Sequence, residues 1–595
     1  MAFKVKALIA FGQMACFVLV LNGCGSSSSA SDASSASASA TTTTSTPTTA
    51  TTTTGTTTGA SPATTAATPP ATTPATTTTS TTAPKPAPAP APKPVPKPTT
   101  ATQDQDPPAA PVPTAPKVAA TLVPVTATNS GDACLPITMP SADAMFKASK
   151  KIFAHYFYPF PVSIDNRPPA EDYYNAQYLN KNGESNKWLA EGGYLRQRPL
   201  GVNPSTNPQW KQLNMQREVA AAIARGITGF TFDVMSLDEV TDATSQLHTM
   251  LKAAQAVDSR FKVIVMPDIT VFKSDADAVV EIIWSVASSP AAYRLSDGRL
   301  VVSAFDAGLN SPIWWESVIS KLKARGIAVA FVPTFLGWNL YAELFAPISY
   351  GFADWGTATD AGSSYFEGTS PFVHSTYDRI FMNPVDPQQY RPKSFVYWEA
   401  GNSAAFRAGW TSSIQGDADW VQLVTWNDFS ESGEVEPYTD ATLKRDIGTG
   451  YYDLNGYYAS RYLTGHEPII THDVLYYFYR REPPGAAAKT QSQTDHVYTG
   501  VAENDIELLA FLTAPGELKI TVGGKTYTKN AAAGMVSFKV PALPGTPLFT
   551  LARNGTDVFS FEGGVQIYGS SGLPSGVADM TYWSGSASKS GICSL

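Results

Sequence analysis

Asp428 and Glu431 stand three residues apart in the stretch D-W-V-Q-L-V-T-W-N-D-F-S-E-S-G-E-V-E-P-Y (419–438), bracketed by Trp426 and Phe429. Two carboxyls so placed suit the hydrolysis of a glycosidic bond. One, protonated, gives its proton to the leaving oxygen; the other, ionised, acts on water or on the anomeric carbon. The same residues could serve a plainer end, since acids after a strand often cap the next helix or face solvent. The run ahead of them, 421–426, is short and apolar and predicts a buried strand. Parallel strands are covered on both faces, so carboxyls delivered at a carboxyl end line a site more readily than they fill a core.

Strand and helix patterns alternate from Lys151 onward. Apolar runs at 152–157, 227–234, 261–268, 300–305, 327–333, 347–354, 394–400 and 420–426 predict eight strands. Helical periodicity at 213–225, 245–257, 275–287 and 313–325 lies between them, with Gly226 as the stop of the first. This is the pattern of an α/β fold, a (β/α)8 TIM-type barrel with its site on the carboxyl-end loops. A doubly wound open sheet is the alternative, but no Gly-rich phosphate loop follows the first strand. Residues 447–484 are expected to close the barrel, which gives a catalytic domain over 131–487. Beyond it, β-like runs at 506–513, 518–522, 536–540 and 548–553 are punctuated by Gly, Pro and Asn with no helical pattern. They predict a small all-β sandwich as an accessory domain over 488–595.

The chain begins as an exported protein would. Lys4 and Lys6 precede an apolar run, 7–21, too short to span a bilayer. The run ends L-N-G-C, which resembles a bacterial lipobox, so residues 1–24 are expected to be a lipoprotein signal peptide with Cys24 lipidated; an ordinary secretory signal is the alternative. Gly25 rather than Asp follows the cysteine, which favours the outer membrane or the cell surface. Residues 25–130 are Ser, Thr, Ala and Pro, too poor in apolar residues to fold, and predict a disordered tether. Of the four cysteines, Cys134 and Cys593 remain to flank the folded part, and in an oxidising compartment they are expected to pair; two free thiols are the alternative.

The stretch V-Q-L-V-T-W-N-D-F-S-E-S resembles the signature of glycoside hydrolase family 71, the α-1,3-glucanases or mutanases, which carry a W-N-D-(aromatic)-x-E-S block on the last barrel strand. Further segments resemble the family in order, over roughly residues 150–560. K-I-F-A-H-Y-F places His155 on the family's first-strand histidine. G-I-T-G-F-T-F-D-V places Asp233 where Asn is usual, and F-K-V-I-V-M-P-D-I-T places Asp268 on a strand-end Asp. Y-L-T-G-H-E-P-I-I-T resembles the end of the catalytic domain, and P-L-F-T-L-A-R-N-G the accessory sandwich. The insertion around 170–208 and V-M-S-L-D after the second strand depart from the fungal pattern, which leaves the cleft rim less defined.

The resemblance implies hydrolysis of α-1,3-glucan with inversion. Glu431 is the expected general acid, kept protonated by an apolar neighbourhood, and Asp428 the base that orients water, with the two roles exchangeable. His155, Asp233, Asp268, Trp398, Trp426 and Asn427 are the expected substrate-binding residues, with Trp338, Trp355 and Trp410 as further stacking candidates. The six histidines are scattered without a metal-ligand spacing, so no metal or other cofactor is expected. A net charge of −8 and a pI near 5.4 argue against nucleic acid as a partner. The expected partners are an α-glucan and, through Cys24, a membrane, with the chain a monomer. A non-catalytic polysaccharide-binding lipoprotein, a scaffold or adhesin, and a barrel glucanase of other linkage are the competing functions.

Overall fold

The computed structural model describes residues 132–242, 244–440, 445–486, 496–497, 501–570 and 579–593. The signal peptide, Cys24 and the 25–130 tether lie outside them.

The centre of the molecule is a mixed α/β unit built on a nine-stranded parallel sheet. Its strands are β1 (Lys151–Tyr156), β2 (Gly229–Val234), β3 (Lys262–Pro267), β4 (Leu300–Val302), β5 (Val329–Phe331), β6 (Thr334–Phe335), β7 (Gly351–Asp354), β8 (Ile380–Val385) and β9 (Trp420–Leu423). The spatial order is β5-β4-β3-β2-β1-β9-β8-β7-β6. The two outermost strands are thus consecutive in the chain, with Val332 and Pro333 between them. That stretch is hydrogen-bonded along both edges. Val332 and Thr334 donate N–H to Val302 O and Ala304 O (2.9 and 3.1 Å), while Tyr350 and Ala353 donate to Phe331 O and Pro333 O (2.7 and 2.9 Å).

Side chains alternate across the sheet as the two-residue period of a strand requires. From β1, Ile152, Ala154 and Tyr156 enter the large core shared with the helices. Phe153 instead joins Ile264, Val301, Ala330, Val332, Ala353, Met382 and Trp420 on the inner face. Met266, Phe305, Trp355 and Val424 form a second inner cluster nearer the carboxyl ends. The covering helices include α1 (Trp210–Ala224), α2 (Gln246–Val257), α3 (Ala276–Val286) and α4 (Pro312–Ala324). Their starts are capped as their sequences allow: Ser245, Asp275 and Ser311 each accept a backbone N–H from the first turn, and Pro312 opens α4.

One expected strand is displaced. The run 394–400 is not in the parallel sheet; Val396–Trp398 pairs antiparallel with Gln389–Arg391 in a hairpin. The sheet position belongs to β8, whose sequence I-F-M-N-P-V carries Pro384 opposite Gln422 of β9. Proline has no N–H for the ladder and normally argues against an interior strand, which hid β8 behind the more apolar V-Y-W.

The expected division near 487 is also redrawn. Within 447–484, the helix α5 (Gly450–Thr464) packs on the parallel-sheet core. Val474–Arg480 (β10) is instead the middle strand of an antiparallel sheet, between β11 (Asp505–Leu512) and a late strand, Tyr582–Ser588. A second sheet contains β12 (Gly516–Val522), β13 (Lys525–Ala531), β15 (Leu548–Arg553) and β16 (Thr556–Glu562). β14 (Gly534–Pro541) and the late strand, β17, complete the first together with Gly591–Ile592. Alternate residues of both sheets, among them Leu475, Tyr477, Ile506, Leu518 and Phe549, share one core. Cys134 and Cys593 form a disulfide across 459 residues of sequence, tying the start of the described chain to the strand after β17.

Candidate active site

The acids at 428 and 431 are shaped by a doubled-back loop at the end of β9. Thr425 N donates to Gly433 O, and Val435 N and Glu436 N return bonds to Thr425 O and Trp426 O (2.7, 3.0 and 2.8 Å). The Val424–Thr425 peptide is cis. At the tip, Asp428 N donates to Thr425 Oγ1 (2.7 Å), and Ser430 donates both N–H and hydroxyl to Asp428 Oδ1 (3.0 and 2.6 Å). This holds Asp428 at 5% exposure beneath the turn.

Glu431 meets a second element, the 389–398 hairpin. Arg391 Nη2 lies 2.8 Å from Glu431 Oε1, Gln389 Nε2 donates to Oε2, and Tyr390 N donates to the Glu431 carbonyl (2.7 Å). The Arg391 guanidinium lies over the Trp398 ring at 5.1 Å. The two carboxyls therefore sit in unlike surroundings. Burial and, next, the charge of Glu431 push Asp428 up to about 7, against the opposing pull of Ser430 and Arg391. Glu431 is ion-paired, with 17% of its side chain exposed, rather than set in apolar surroundings.

Other strand ends add acids to the same mouth. Asp233, on β2, is raised well above the usual carboxylate range by burial and by Asp268 and Asp428, and its Oδ1 has no hydrogen-bond partner among the described residues. Asp268, after β3, is raised to about 6 by burial although Thr270 donates both N–H and hydroxyl to it. Asp306 is raised to about 7 by burial and by Asp268; Asp386, after β8, is raised by burial, Asp354 and Glu431. These mutual repulsions run from Asp306 through Asp268, Asp233 and Asp428 to Glu431 and Asp386. At the end of β1, burial pushes His155 down to about 3, so it is neutral. Its ring stands edge-on to Trp355 at 4.7 Å, and its Nδ1 makes no hydrogen bond among the described residues.

The structure thus brings Asp428, Glu431, Asp233, Asp268 and His155 to one end of the sheet. Three other expected substrate contacts fall elsewhere. The amide of Asn427 is fully buried and bound to backbone: Oδ1 accepts from Phe157 N (2.7 Å), and Nδ2 donates to Phe157 O and Phe160 O (3.1 and 2.9 Å). Trp426 is fully buried in the helix-facing core, against Phe230 and Tyr452. Trp398 is buried beneath Arg391. Trp338 and Trp410 are also core residues, whereas Trp355 belongs to the inner cluster at the carboxyl ends.

Sequence reasoning missed Arg391, Gln389, Asp306 and Asp386. Asp306 could have been found, since it follows the expected strand 300–305, whereas Asp386 follows β8, which Pro384 hid. Arg391 and Gln389 carried no such signal, because they come from a hairpin with no motif of its own. Among the described residues one group has metal-ligand spacing, Cys134, Asp453 and Cys593, and its two sulfurs are bonded to each other.

Residues 205–595 match the sequence model of glycosyl hydrolase family 71. His155 lies ahead of that match. The chain is 27% identical over 376 residues to glucan endo-1,3-alpha-glucosidase agn1 of Schizosaccharomyces pombe, covering 59% of this chain and 86% of that one. It is 24% identical over 380 residues to a mutanase of Penicillium rubens, covering 60% and 81%. Among solved structures, the GH99 endo-alpha-mannosidase of Bacteroides thetaiotaomicron aligns at a TM-score of 0.42 and 14% identity, covering 53% of this chain and 98% of that one.

Proposed function

The chain belongs to glycosyl hydrolase family 71, and from that premise we propose that it hydrolyses α-1,3-glucosidic linkages within an α-glucan, with inversion, through Asp428 and Glu431. It is a glycoside hydrolase, and the relatives named for this linkage support the substrate. We read the parallel sheet as a closed (β/α)8 barrel, since residues 329–335 are hydrogen-bonded to neighbours on both sides, and the two antiparallel sheets as a β-sandwich.

The unlike surroundings of the two carboxyls carry the assignment of roles, and they reverse the order expected from the sequence. Arg391 and Gln389 hold the Glu431 carboxylate from two sides while 17% of its side chain stays open to solvent, which suits it to take a proton from water. Asp428, buried and facing that negative charge, holds its proton near neutrality and suits the general acid. Asp428 protonates the departing glycosidic oxygen as Glu431 deprotonates the water that attacks the anomeric carbon from the opposite face. Inverting pairs leave about 6.5–9.5 Å between carboxyls for that water. His155 and the ring of acids, Asp233 and Asp268 foremost, are placed to bind sugar hydroxyls around the bond.

The test is reducing-sugar release from insoluble α-1,3-glucan, with the first-formed anomer followed by NMR. Asp428→Asn and Glu431→Gln should each lose about 10²–10⁴-fold in rate. On α-glucosyl fluoride, whose leaving group needs no proton, Asp428→Asn should recover most of its rate and Glu431→Gln should not. Full activity in either variant removes that residue from the mechanism, and the reverse pattern on the fluoride exchanges the roles.

For the N-terminal segment the L-N-G-C sequence supports a lipid on Cys24, with 25–130 as the tether of an exported, monomeric enzyme. Fatty-acid labelling that survives Cys24→Ser would refute the anchor.

A further inference from the structure

Strand β17 of the sandwich reaches the active site from behind. Gln388 stands immediately before Gln389, and its buried amide is bonded in both directions to one residue of that strand. Gln388 Nε2 donates to Tyr582 O (2.9 Å), and Tyr582 N donates to Gln388 Oε1 (2.7 Å). Ser432 stands immediately after Glu431, in the left-handed region at φ 52°, and its buried hydroxyl meets Thr581 Oγ1 at 3.2 Å. Neighbours on either side of the Gln389–Glu431 contact are therefore fastened to two consecutive residues, Thr581 just before β17 and Tyr582 at its start.

That strand is itself held firmly. Ser584 N donates to Tyr438 Oη (2.9 Å), which secures the returning limb of the catalytic loop. Tyr582 Oη donates to Glu399 Oε1 (2.6 Å), and Glu399 pairs with Arg480 of β10 at 3.1 Å, all of them buried. Cys593 N bonds to Ser586 O (2.9 Å), and its disulfide to Cys134 anchors the end of the strand on the first of the described residues.

We propose that β17, together with Thr581, is a positioning element for the catalytic carboxyls, acting through Gln388 and Ser432, so that the C-terminal sandwich completes the active site instead of serving as a detachable binding module. This rests on the role given to Glu431 above. A side-chain amide that satisfies both the N–H and the C=O of one residue fixes two segments in register. A carboxylate displaced by about 1 Å loses much of its catalytic value, about 10²-fold in well-studied cases.

The experiment uses the intact chain and a soluble α-1,3-linked gluco-oligosaccharide. Gln388→Leu removes both bonds to Tyr582; Ser432→Ala removes one hydroxyl and keeps the fold if the first variant does not. Each should lower kcat at least about tenfold with KM within about twofold, and displace the pH–rate profile. Wild-type kcat and pH profile in both variants, or a lowered melting temperature with kcat and profile intact, overturns the proposal. Glu431→Gln is measured alongside. If it stays active, the reading of the carboxyl pair falls and this inference with it; if it is inactive while both brace variants behave as wild type, this inference alone falls.

Discussion

At the scale of single residues, Asp428 and Glu431 differ in what touches them, and that difference predicts how activity follows pH. Burial is the larger cause of the raised Asp428 value, and the negative charge of Glu431 the next. A general acid at about 7 is protonated below that pH, so kcat/KM should fall as pH rises through about 7. Neutralising Glu431 removes one of the two causes. The Asp428 carboxyl, followed by ¹³C NMR in Glu431→Gln, should therefore titrate at a lower pH than in wild type. An unchanged or higher titration would mean that Glu431 is not the charge Asp428 feels. Arg391 acts on the other side of the pair. Arg391→Met should reduce kcat by about ten- to a hundredfold, because Glu431 loses the ion pair that, with Gln389, holds its carboxyl in place. A wild-type kcat would show that Arg391 only supports the hairpin.

At the scale of elements, the loop after β9 works as a junction. Its tip carries the acids, its returning limb bonds back to 425 and 426, and Asn427 staples the loop that follows β1. The motif W-N-D thus divides its labour: Trp426 packs outward into the core, Asn427 fastens a neighbouring loop, and Asp428 joins the acids gathered at the strand ends. Asn427→Ala would strand the Phe157 N–H and two carbonyls in a buried place. Unpaired buried groups cost about 1–3 kcal/mol each before relaxation and water, so urea unfolding should show a loss of about 2–4 kcal/mol. A loss below about 0.5 kcal/mol would mean that the 157–160 loop holds itself in place. The variant should also lower activity less than Asp428→Asn does, since Asn427 touches backbone and not sugar.

At the scale of the whole molecule, burying so many carboxyls sets the pH dependence of stability. Asp268 and Asp354 are raised to about 6, Asp306 and Asp428 to about 7, and Glu218 and Glu482 to about 8, chiefly by burial. Asp233, Asp386, Glu434 and Glu436 are raised for the same first reason. For each of these the folded state holds its proton more tightly than the unfolded chain does. Stability is then greatest below the unfolded values, near 4, and is lost as pH rises toward 8. Glu399 and Asp473, held low by Arg480 and by Arg553 and Thr513, work the other way, lending stability that disappears on acidification. The raised groups outnumber them, so the melting temperature should be higher at pH 5 than at pH 8. A flat or rising curve between those values would show that water or a cation shares the buried sites.

The sequence by itself determined the family, the acids of W-N-D-F-S-E, the alternation of strands and helices, and the two cysteines that meet. The first three are written locally, in short-range periodicity or in a motif read along the chain; the cysteines, 459 residues apart, follow from counting how few are left to pair. Only the tertiary structure decided what surrounds each acid. Arg391 lies 40 residues from Glu431 in sequence, and Gln388 lies 194 residues from Tyr582. No local pattern announces such pairs, because they exist only once strands and hairpins have docked. The same holds for direction. Trp426 and Asn427 are chemically apt to bind sugar, but the turn of the backbone after β9 points one into the core and the other at a neighbouring loop. The roles of the two carboxyls were exchangeable in sequence for that reason: a carboxyl's affinity for its proton is set by burial and by charges brought near through folding, and neither is a property of its place in the chain.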